Sequence, residues 1–256
     1  MPVIKTAKSM GLKVVVTDYN PESEGMLLAD FPIEVSTRNI NLTVNTAKQF
    51  HMACPLDGVM TVGTDASQTV AAVADALNLP GIPFEVAERA TDKIKMRQVL
   101  QEKGVPVPQF RSVWTLDEGR EALNSMTLPL VIKPCDNMGA RGVRKIERPD
   151  DLISAFREAK EASISGKLVM EEFMEGPELS LDALIYDNEI LITGVADRII
   201  EHSPYFVEVG HTIPSSLPEE KVKESLEVFK QAIRALGINT GAAKGCLLYT
   251  SDAADE

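Results

Sequence analysis

The stretch "VIKPCDNMGARGV" (Val131–Val143) decides how the second half of this chain folds. Two β-branched residues favour a strand, which ends in Lys133 and a proline. In the loop that follows, Gly139 and Gly142 let backbone N–H groups approach a ligand, and converging amides bind anionic oxygens. A lysine at a strand end usually extends to solvent, and the loop matches neither of the common phosphate-loop patterns. Beside Arg141, however, Lys133 indicates an anion site.

Composition limits the partners of the chain. Its 256 residues are enough for two domains, and 26 basic against 38 acidic residues leave a net charge of −12. This charge argues against nucleic acid or an anionic membrane as the main partner, so a bound anion must be held by locally concentrated cations and amides. No apolar run reaches membrane-spanning length, and no signal-peptide pattern opens the sequence.

The cysteines indicate the redox setting. Cys54, Cys135 and Cys246 are widely spaced and form no CxxC pair. This pattern predicts reduced thiols in a cytoplasmic protein, with neither a zinc site nor a disulfide framework.

The first part of the chain alternates strands and helices, which is typical of βαβ units on a parallel sheet. The expected elements are a helix (Val3–Met10), a strand (Leu12–Asn20), a helix (Leu42–Ala53), a strand (Asp57–Asp65) and a helix (Ala66–Asn78). Residues 1–85 are therefore predicted to form a Rossmann-like domain. Because a helix precedes the first visible strand, the N-terminus is expected to be truncated.

The proline- and glycine-containing stretch "LPGIPF" (Leu79–Phe84) marks the boundary to the second part of the chain. The expected elements are a helix from Asp92 to Lys103, a strand (Phe110–Trp114), a helix (Leu116–Asn124), a strand (Pro129–Lys133), a short strand at Val143, a helix (Pro149–Lys160), three strands (Lys167–Phe173, Glu178–Tyr186, Glu189–Ile199) and a helix with Val222, Leu226, Phe229, Ile233 and Leu236 on one face. Asp187-Asn188 suits a tight hairpin.

The end of the chain is expected to differ from the rest. "GAAKG" (Gly241–Gly245) fits the start of another strand. Residues 246–256 are expected to lack a partner, and they resemble translated adapter sequence, which predicts a non-native tail.

A second cation and an acidic strand end are further candidates. Lys93 lies in the first turn of its helix, where the helix dipole disfavours a lysine, and it is a plausible second phosphate cation. Strand alternation places Glu178 on the same face as Ser180, which is expected to be half-exposed. A strand end whose backbone contacts an adenine, with a carboxylate further on for the ribose hydroxyls, would explain Glu171 and Glu178 together.

The segment Ala196–Ser215 brings Arg198, Glu208 and His211 among aromatic and turn residues. A lone histidine is more often structural than catalytic. Glu208 and His211, close to a glycine, are nevertheless expected to line a pocket on an irregular segment.

In this order, the segments resemble the ATP-grasp superfamily, in particular carboxylate–amine ligases of the L-amino-acid ligase and carbamoyl-phosphate-synthase-like kind. The resemblance covers residues 1–245 and depends on order and spacing more than on one motif. It rests on "DK" at Asp92–Lys93, "VIKP" ending at Pro134, the glycine loop, "EEF" ending at Phe173, and Glu178. The implied fold is α/β, with a Rossmann-like pre-ATP-grasp domain before an incomplete ATP-grasp fold. The resemblance implies that the ATP-grasp domain spans 86–245, with a small lid lobe at 106–176 and an incomplete C-terminal lobe at 177–245.

The resemblance also implies the ligands and roles. Lys93 and Lys133 would contact ATP phosphates, the Met138–Gly142 loop, including Ala140, would close over them, and Glu178 would hold the ribose. The remaining implied site residues are Glu171, Glu172, Phe173 and Met174 at the adenine, and Arg141, Arg198, Glu208 and His211 at the reacting end. Magnesium and small carboxylate and amine substrates would complete the site, and a homodimer is possible in a longer parent protein.

The chain departs from the family at its metal site, because Cys246 stands where an aspartate is expected. Magnesium is therefore expected to bind poorly, and the fragment itself could be inactive. Two alternatives stay open at this point. One is a subunit of the carbamoyl-phosphate-synthase or biotin-carboxylase type that activates bicarbonate, and the other is a non-catalytic nucleotide-binding module.

Overall fold

A computed structural model describes residues 2–250, which divide between Ala87 and Glu88 into two compact units. No helix in that range is long and apolar enough to cross a membrane. The elements of the first unit are α1 (Pro2–Ser9), β1 (Val15–Asp18), α2 (Glu24–Leu28), β2 (Phe31–Glu34), α3 (Ile40–Ala53) and α4 (Ser67–Leu77). The next helix, α5 (Phe84–Thr91), includes the boundary.

The first unit contains a parallel strand pair. Val15 lies opposite Phe31, and Asp18 lies opposite Glu34. α2 connects the two strands, as a parallel crossover requires. The carboxylate of Asp30 supports the entrance to β1 by accepting a hydrogen bond of 2.9 Å from the N–H of Val14. The predicted strand over Leu12–Asn20 is confirmed in its central four residues.

The strand predicted over Asp57–Asp65 is wrong. The segment has no strand hydrogen bonding, Met60 and Val62 are exposed, and the hydroxyl groups of Thr61 and Thr64 hydrogen-bond to each other within a turn. A strand persists only where a neighbouring strand satisfies its backbone groups. The apolar residues of the segment do not show whether such a neighbour exists.

The described part of the second unit, residues 88–250, contains two sheets and four further helices. Its elements are α6 (Lys93–Glu102), β3 (Phe110–Val113), α7 (Leu116–Ser125), β4 (Leu130–Pro134), β5 (Arg144–Ile146), a short 3-10 turn (Pro149–Asp151), α8 (Leu152–Ala162), β6 (Leu168–Glu172), β7 (Glu178–Tyr186), β8 (Glu189–Glu201), β9 (Val207–Thr212), α9 (Glu219–Leu236) and β10 (Gly241–Leu248).

The first sheet has the strand order β3-β6-β4-β5, and all of its pairs are antiparallel. One face packs against α7 and α8 in a core that includes Leu130, Ile132, Leu168 and Met170. Because successive side chains alternate between faces, the residues between them, such as Lys133 and Glu171, lie on the opposite face.

The second sheet has the strand order β10-β7-β8-β9 and packs against α9. Leu179, Leu181 and Ile185 of β7 meet Phe229 and Ile233 of the helix in one core. The turn between β7 and β8 has positive φ angles at Asp187 (48°) and Asn188 (67°), as a two-residue hairpin requires. The predicted hairpin and the amphipathic α9 are confirmed.

The expectation that residues after Gly245 lack a partner is wrong for the first of them. β10 continues to Leu248, with Cys246 opposite Ser180 and Leu248 opposite Glu178. The N–H of Tyr249 then donates to the carbonyl oxygen of Pro177 at 3.0 Å. The edge of β7 supplies backbone partners that the local sequence does not reveal. The rest of the expected tail, 251–256, lies outside the described residues.

Candidate functional site

The face of the first sheet opposite the α7–α8 core brings Lys133 and Glu171 together. In the β4–β6 register Lys133 lies opposite Val169, so Glu171 is its diagonal neighbour on the same face. The ammonium group of Lys133 contacts Oε2 of Glu171 at 2.5 Å. Both side chains are largely buried, with 18% and 5% of their surface exposed. The strand-end lysine is therefore held by a carboxylate and does not extend freely into solvent.

α6 approaches this face at the end of β4. Asp92 caps the helix by accepting hydrogen bonds from the N–H groups of Ile94 (2.8 Å) and Lys95 (3.0 Å), and it pairs with Lys167 at 3.0 Å. Burial raises the pKa of Asp92, but the bonds from Lys95 and Lys167 outweigh this effect and lower it. The cap fixes the first turn of α6, where Lys93 begins the helix.

Lys93 points at the start of the glycine loop. Its ammonium group donates to the carbonyl oxygens of Asn137 (2.6 Å) and Cys135 (3.4 Å). Burial lowers the pKa of Lys93, and repulsion from the Lys133 ammonium lowers it further. The two lysines, distant in sequence, therefore lie close enough to sense each other's charge.

Arg97 also contacts Glu171, and it was not selected as a site residue from the sequence. Its Nε donates to Oε1 of Glu171 at 2.9 Å, so the two oxygens of Glu171 bind two different cations. Burial would raise the pKa of Glu171, but attraction to Lys133 and Arg97 outweighs it and lowers the pKa to about 2. Arg97 follows Lys93 by one helical turn, and this i, i+4 spacing was a signal that could have revealed it.

The glycine loop is anchored at its base. The amide of Asn137 donates to the carbonyl oxygen of Ala162 at 2.7 Å, and Asp136 accepts from the N–H groups of Ile164 and Ser165. The pKa of Asp136 is raised by burial but lowered overall by hydrogen bonds from the 163–165 segment. Beyond Asn137 the residues 138–141 are exposed.

The tip of the loop has an unusual backbone. Gly139, Ala140 and Gly142 have φ angles of 68°, 56° and 73°. Arg141 folds back, and its Nε donates to the carbonyl oxygen of Met138 at 3.0 Å. A side chain at Gly142 would come within 2.6 Å of the Cβ of Ala162, so only glycine fits this position.

The backbone N–H groups at the end of β6 differ in their hydrogen bonding. The N–H of Glu172 donates to the carbonyl oxygen of Gln109 at 3.0 Å, and that of Phe173 donates to the carbonyl oxygen of Pro129 at 3.1 Å. The Glu172 carboxylate accepts from the N–H of Gln109 at 2.9 Å. For the N–H of Met174, in contrast, residues 2–250 offer no hydrogen-bond partner.

An aromatic contact lies beside this strand end. The Lys145 ammonium lies 4.1 Å from the ring centroid of Phe173, and the Phe173 and Phe206 centroids are 6.0 Å apart. The N–H of Lys145 donates to the carbonyl oxygen of Pro204 at 3.2 Å. The connection between β8 and β9 thus contacts β5 and the end of β6.

Arg198 organises the second sheet. It lies opposite Glu178 on β7 and opposite His211 on β9. Its guanidinium donates to Glu178 and to Glu208, each at 2.7 Å. Burial and the nearby Glu208 raise the pKa of Glu178, whereas the hydrogen bond from Arg198 lowers that of Glu208.

A β-bulge brings Glu208 to this face. The register shifts between Ile199 and Ile200, so Gly210 and Glu208 lie opposite consecutive residues of β8 and Val209 is the extra residue. Without the bulge, Glu208 and His211 would point to opposite faces. Oε1 of Glu208 lies 3.7 Å from Nε2 of His211.

Two sequence expectations need correction here. Glu208 and His211 lie on β9 and not on an irregular segment, because β8 supplies a neighbouring strand. Ser180 is buried, with 2% of its surface exposed, because β8 and β10 flank β7 on both sides. Neither neighbour is visible in the local sequence.

Most of the charged residues among the expected site residues thus form two groups. In the first, Lys133 contacts Glu171 and Lys93 binds the start of the nearby loop. In the second, Glu178 and Glu208 contact Arg198, and His211 lies beside Glu208. The groups are electrostatically connected, because Lys133 lowers the pKa of Glu178, although the net shift of Glu178 is upward. Two cations, a loop with free glycine backbone and a nearby carboxylate network can together hold a polyanion beside a second, polar ligand.

A magnesium site does not fit the described residues. No group of three or more His, Cys, Asp or Glu side chains in the range 2–250 is arranged to hold a metal ion. Cys246 is exposed on β10, and a thiol is a poor ligand for a cation that prefers oxygen.

Family comparisons agree with this architecture. Residues 4–81 match the model of the ATP-grasp N-terminal domain, and residues 126–244 match that of the ATP-grasp domain. The chain belongs to the ATP-grasp superfamily. The α/β fold that the resemblance implied is confirmed.

Individual relatives extend the comparison. The crystal structure of an L-amino acid ligase from Bacillus licheniformis superposes with a TM-score of 0.83 at 27% identity, covering 98% of this chain and 61% of that one. An uncharacterised protein, y4rH, of Sinorhizobium fredii is 28% identical over 215 residues, 81% of this chain and 43% of the relative. The ATP-grasp enzyme fsqD of Aspergillus fumigatus is 25% identical over 199 residues, 73% and 34% of the two lengths. The chain therefore spans less than half the length of these two curated relatives.

Proposed function

We propose that this chain is the nucleotide-binding part of an ATP-dependent ligase that joins a carboxylate to an amine. The observation that supports this best is that Lys93 hydrogen-bonds to the start of the glycine loop, which directly follows the strand of Lys133. Two ammonium groups from separate elements, with loop amides next to them, suit the phosphates of a nucleoside triphosphate. The similarity to an L-amino acid ligase favours an amino acid as one substrate.

The nucleotide would lie along the face of the first sheet that carries Lys133 and Glu171. Lys93, Lys133 and Arg141 would contact the phosphates, and residues 138–142 would fold over them. The adenine would lie at Glu172, Phe173 and Met174, where the Met174 N–H is an available donor. Glu178 would accept from the ribose hydroxyls, which requires part of its hydrogen bonding with Arg198 to be exchanged.

The reaction follows from the poor reactivity of a carboxylate. A carboxylate oxygen attacks the γ-phosphorus, the bond to ADP breaks, and an acyl phosphate forms. The amine then attacks the acyl carbon, phosphate leaves with the bonding electrons, and an amide remains after loss of a proton. The cations of the site balance charge on the transferring group, and the closed loop excludes water from the acyl phosphate.

Arg198, Glu208 and His211 would shape the substrate end. Arg198 is already paired with two carboxylates, so a substrate carboxylate would have to displace one of them. Glu208 has the more exposed side chain, at 38% against 23% for Glu178. Glu208 is therefore the partner that we expect a substrate carboxylate to displace.

A specific observation favours a second candidate, a nucleotide-binding module without turnover. Cys246 replaces the expected aspartate, and the described residues provide no magnesium site. Such a chain would bind ADP but would not transfer phosphate.

The test begins with ADP binding to the chain, measured by calorimetry for wild type and Lys133→Ala. We expect wild type to bind and the variant to lose binding while its circular dichroism is unchanged, because Glu171 keeps Arg97 as a partner. Equal ADP affinity in both proteins would refute the assignment of Lys133.

A second assay separates the candidates by measuring ADP release from ATP. Release that depends on amino acids supports the ligase, and release with bicarbonate alone supports the bicarbonate-activating type. Binding without release supports the non-catalytic module.

A further inference from the structure

Arg97 has no role in the proposed reaction, yet it contacts Glu171 at the centre of the site. Its Nε lies 2.9 Å from Oε1 of Glu171, and Lys133 lies on the other oxygen. Glu171 is 4% exposed, and the Arg97 side chain is 24% exposed. The charge of the Arg97 guanidinium is expected to act strongly on Glu171 and Lys133, because little water screens charges in this buried site.

The charges explain why Arg97 matters for Lys133. Glu171 and Lys133 alone would form a neutral pair, and the ammonium would offer little net attraction to a phosphate. With Arg97 included, one carboxylate is shared by two cations, and the three groups together have a charge of +1. Lys93, which faces the same cluster, raises the local charge to +2.

Arg97 also determines where Glu171 points. Lys133 approaches the carboxylate along the sheet, whereas Arg97 approaches from α6, so the two contacts hold the group from two sides. α6 is itself fixed by the Asp92 cap and by Ile94, which is buried against Cys135 and Val169. The helix that places Lys93 therefore also holds the carboxylate that orients Lys133.

We propose that Arg97 is a positioning residue for the nucleotide phosphates, acting by sharing Glu171 so that Lys133 remains oriented and available to bind anions. This inference rests on the proposed function, because it assumes that Lys133 binds a nucleotide phosphate. Arg97 itself need not touch the nucleotide.

A series of substitutions separates charge from hydrogen bonding at this position. Arg97→Lys keeps the charge, Arg97→Gln keeps only a donor, and Arg97→Met removes both. We expect the ADP affinity of Arg97→Lys, measured by calorimetry, to be at most about three-fold lower than that of wild type. For Arg97→Gln we expect a loss of about ten-fold, and more for Arg97→Met. Arg120→Gln, which breaks an exposed pair on α7, is the matched control and should bind as wild type.

A double-substitution cycle tests whether Arg97 acts through Glu171. In the Glu171→Gln background, Lys133 is no longer neutralised, so adding Arg97→Gln should change ADP affinity by less than about two-fold. In the double variant Lys133 loses its carboxylate partner, but 18% of its side chain is exposed to water, so we expect the variant to fold even if Arg97→Gln alone does not. Thermal unfolding of every variant shows separately whether stability has changed.

The outcomes distinguish this inference from the proposed function. If wild type fails to bind ADP, the proposed function fails and the inference fails with it. If wild type binds and folded Arg97→Gln and Arg97→Met bind equally well, only the inference is overturned. A further ten-fold loss on adding Arg97→Gln to Glu171→Gln would also overturn it, because Arg97 would then act independently of Glu171.

Discussion

Lys133 and Glu171 lie diagonally across two neighbouring antiparallel strands, with the lysine ammonium 2.5 Å from one carboxylate oxygen. The contact joins the strand before the glycine loop to the strand that leads to the proposed adenine position. Because both side chains are largely withdrawn from water, the pair influences stability and ligand binding more than an exposed ion pair would.

The free energy of unfolding should depend on pH through the carboxylate of Glu171. Its pKa falls from 4.5 to about 2 on folding, so its carboxylate stabilises the folded state fully above pH 4.5. As the pH falls from 4.5 towards 2, the unfolded chain takes up the proton first and up to about 3 kcal/mol is lost. Chemical unfolding at several pH values should show this loss in wild type. Glu171→Gln should lack it, and the exposed control Glu121→Gln should retain it.

Gly142→Ala should destabilise the protein more than Gly139→Ala. Both glycines have positive φ, which costs about 1 kcal/mol for alanine. A side chain at Gly139 meets nothing within 4 Å, but one at Gly142 comes within 2.6 Å of Ala162. We therefore expect a total loss of about 2 kcal/mol or more for Gly142→Ala in denaturant titrations. Equal losses would contradict the close packing of the loop against α8.

Arg198→Met should leave two carboxylates without their cation. We expect a loss of about 2 kcal/mol, since Glu178 and Glu208 each lose a charged hydrogen bond in a partly buried place. The pKa of Glu178, already raised by burial, should rise further, which NMR titration of the carboxyl carbon can measure. Arg120→Met, at an exposed pair, should change stability little. An unshifted Glu178 would show that Arg198 does not compensate its charge.

Asp92→Ala should weaken the start of α6. It removes both cap hydrogen bonds and the contact with Lys167, at a cost of about 1 kcal/mol for the cap alone. Asp92→Asn keeps a cap acceptor and loses only the charge, so it should retain more stability. ADP affinity should fall with Asp92→Ala, because Lys93 starts the capped helix. Identical stability of the two variants would mean that the ion pair with Lys167 outweighs the cap.

Much of the secondary structure follows from local patterns. The apolar runs of β4 and β6, the hairpin at Asp187-Asn188 and the apolar stripe of α9 are properties of neighbouring residues, and the structure agrees with them. The failures share a cause. The segment Asp57–Asp65 lacks a neighbouring strand, whereas β9 pairs with β8. Whether a segment has a neighbouring strand depends on the pairing of residues distant in sequence.

In the candidate site, too, local sequence predicted some features, and only the contacts between distant residues decided the others. Lys93, Lys133, the glycine loop and Glu178 could be selected from spacing and residue type. The partners of these residues could not, because Arg97 meets Glu171 across 74 positions and Arg198 meets Glu178 across 20. The bulge that brings Glu208 beside His211 likewise depends on the register of β8 against β9.

The sequence alone therefore determined which residues are strand, helix and loop in most of the chain, because these properties depend on side chains a few positions apart, and it selected the residues that we propose to hold a nucleotide. Only the tertiary structure decided that one carboxylate, Glu171, is shared by Lys133 and Arg97, and that Arg198 bridges Glu178 and Glu208. Ionic contacts of this kind depend on distances of a few ångströms between separate elements. Strand register and helix docking set those distances, and no local pattern encodes them.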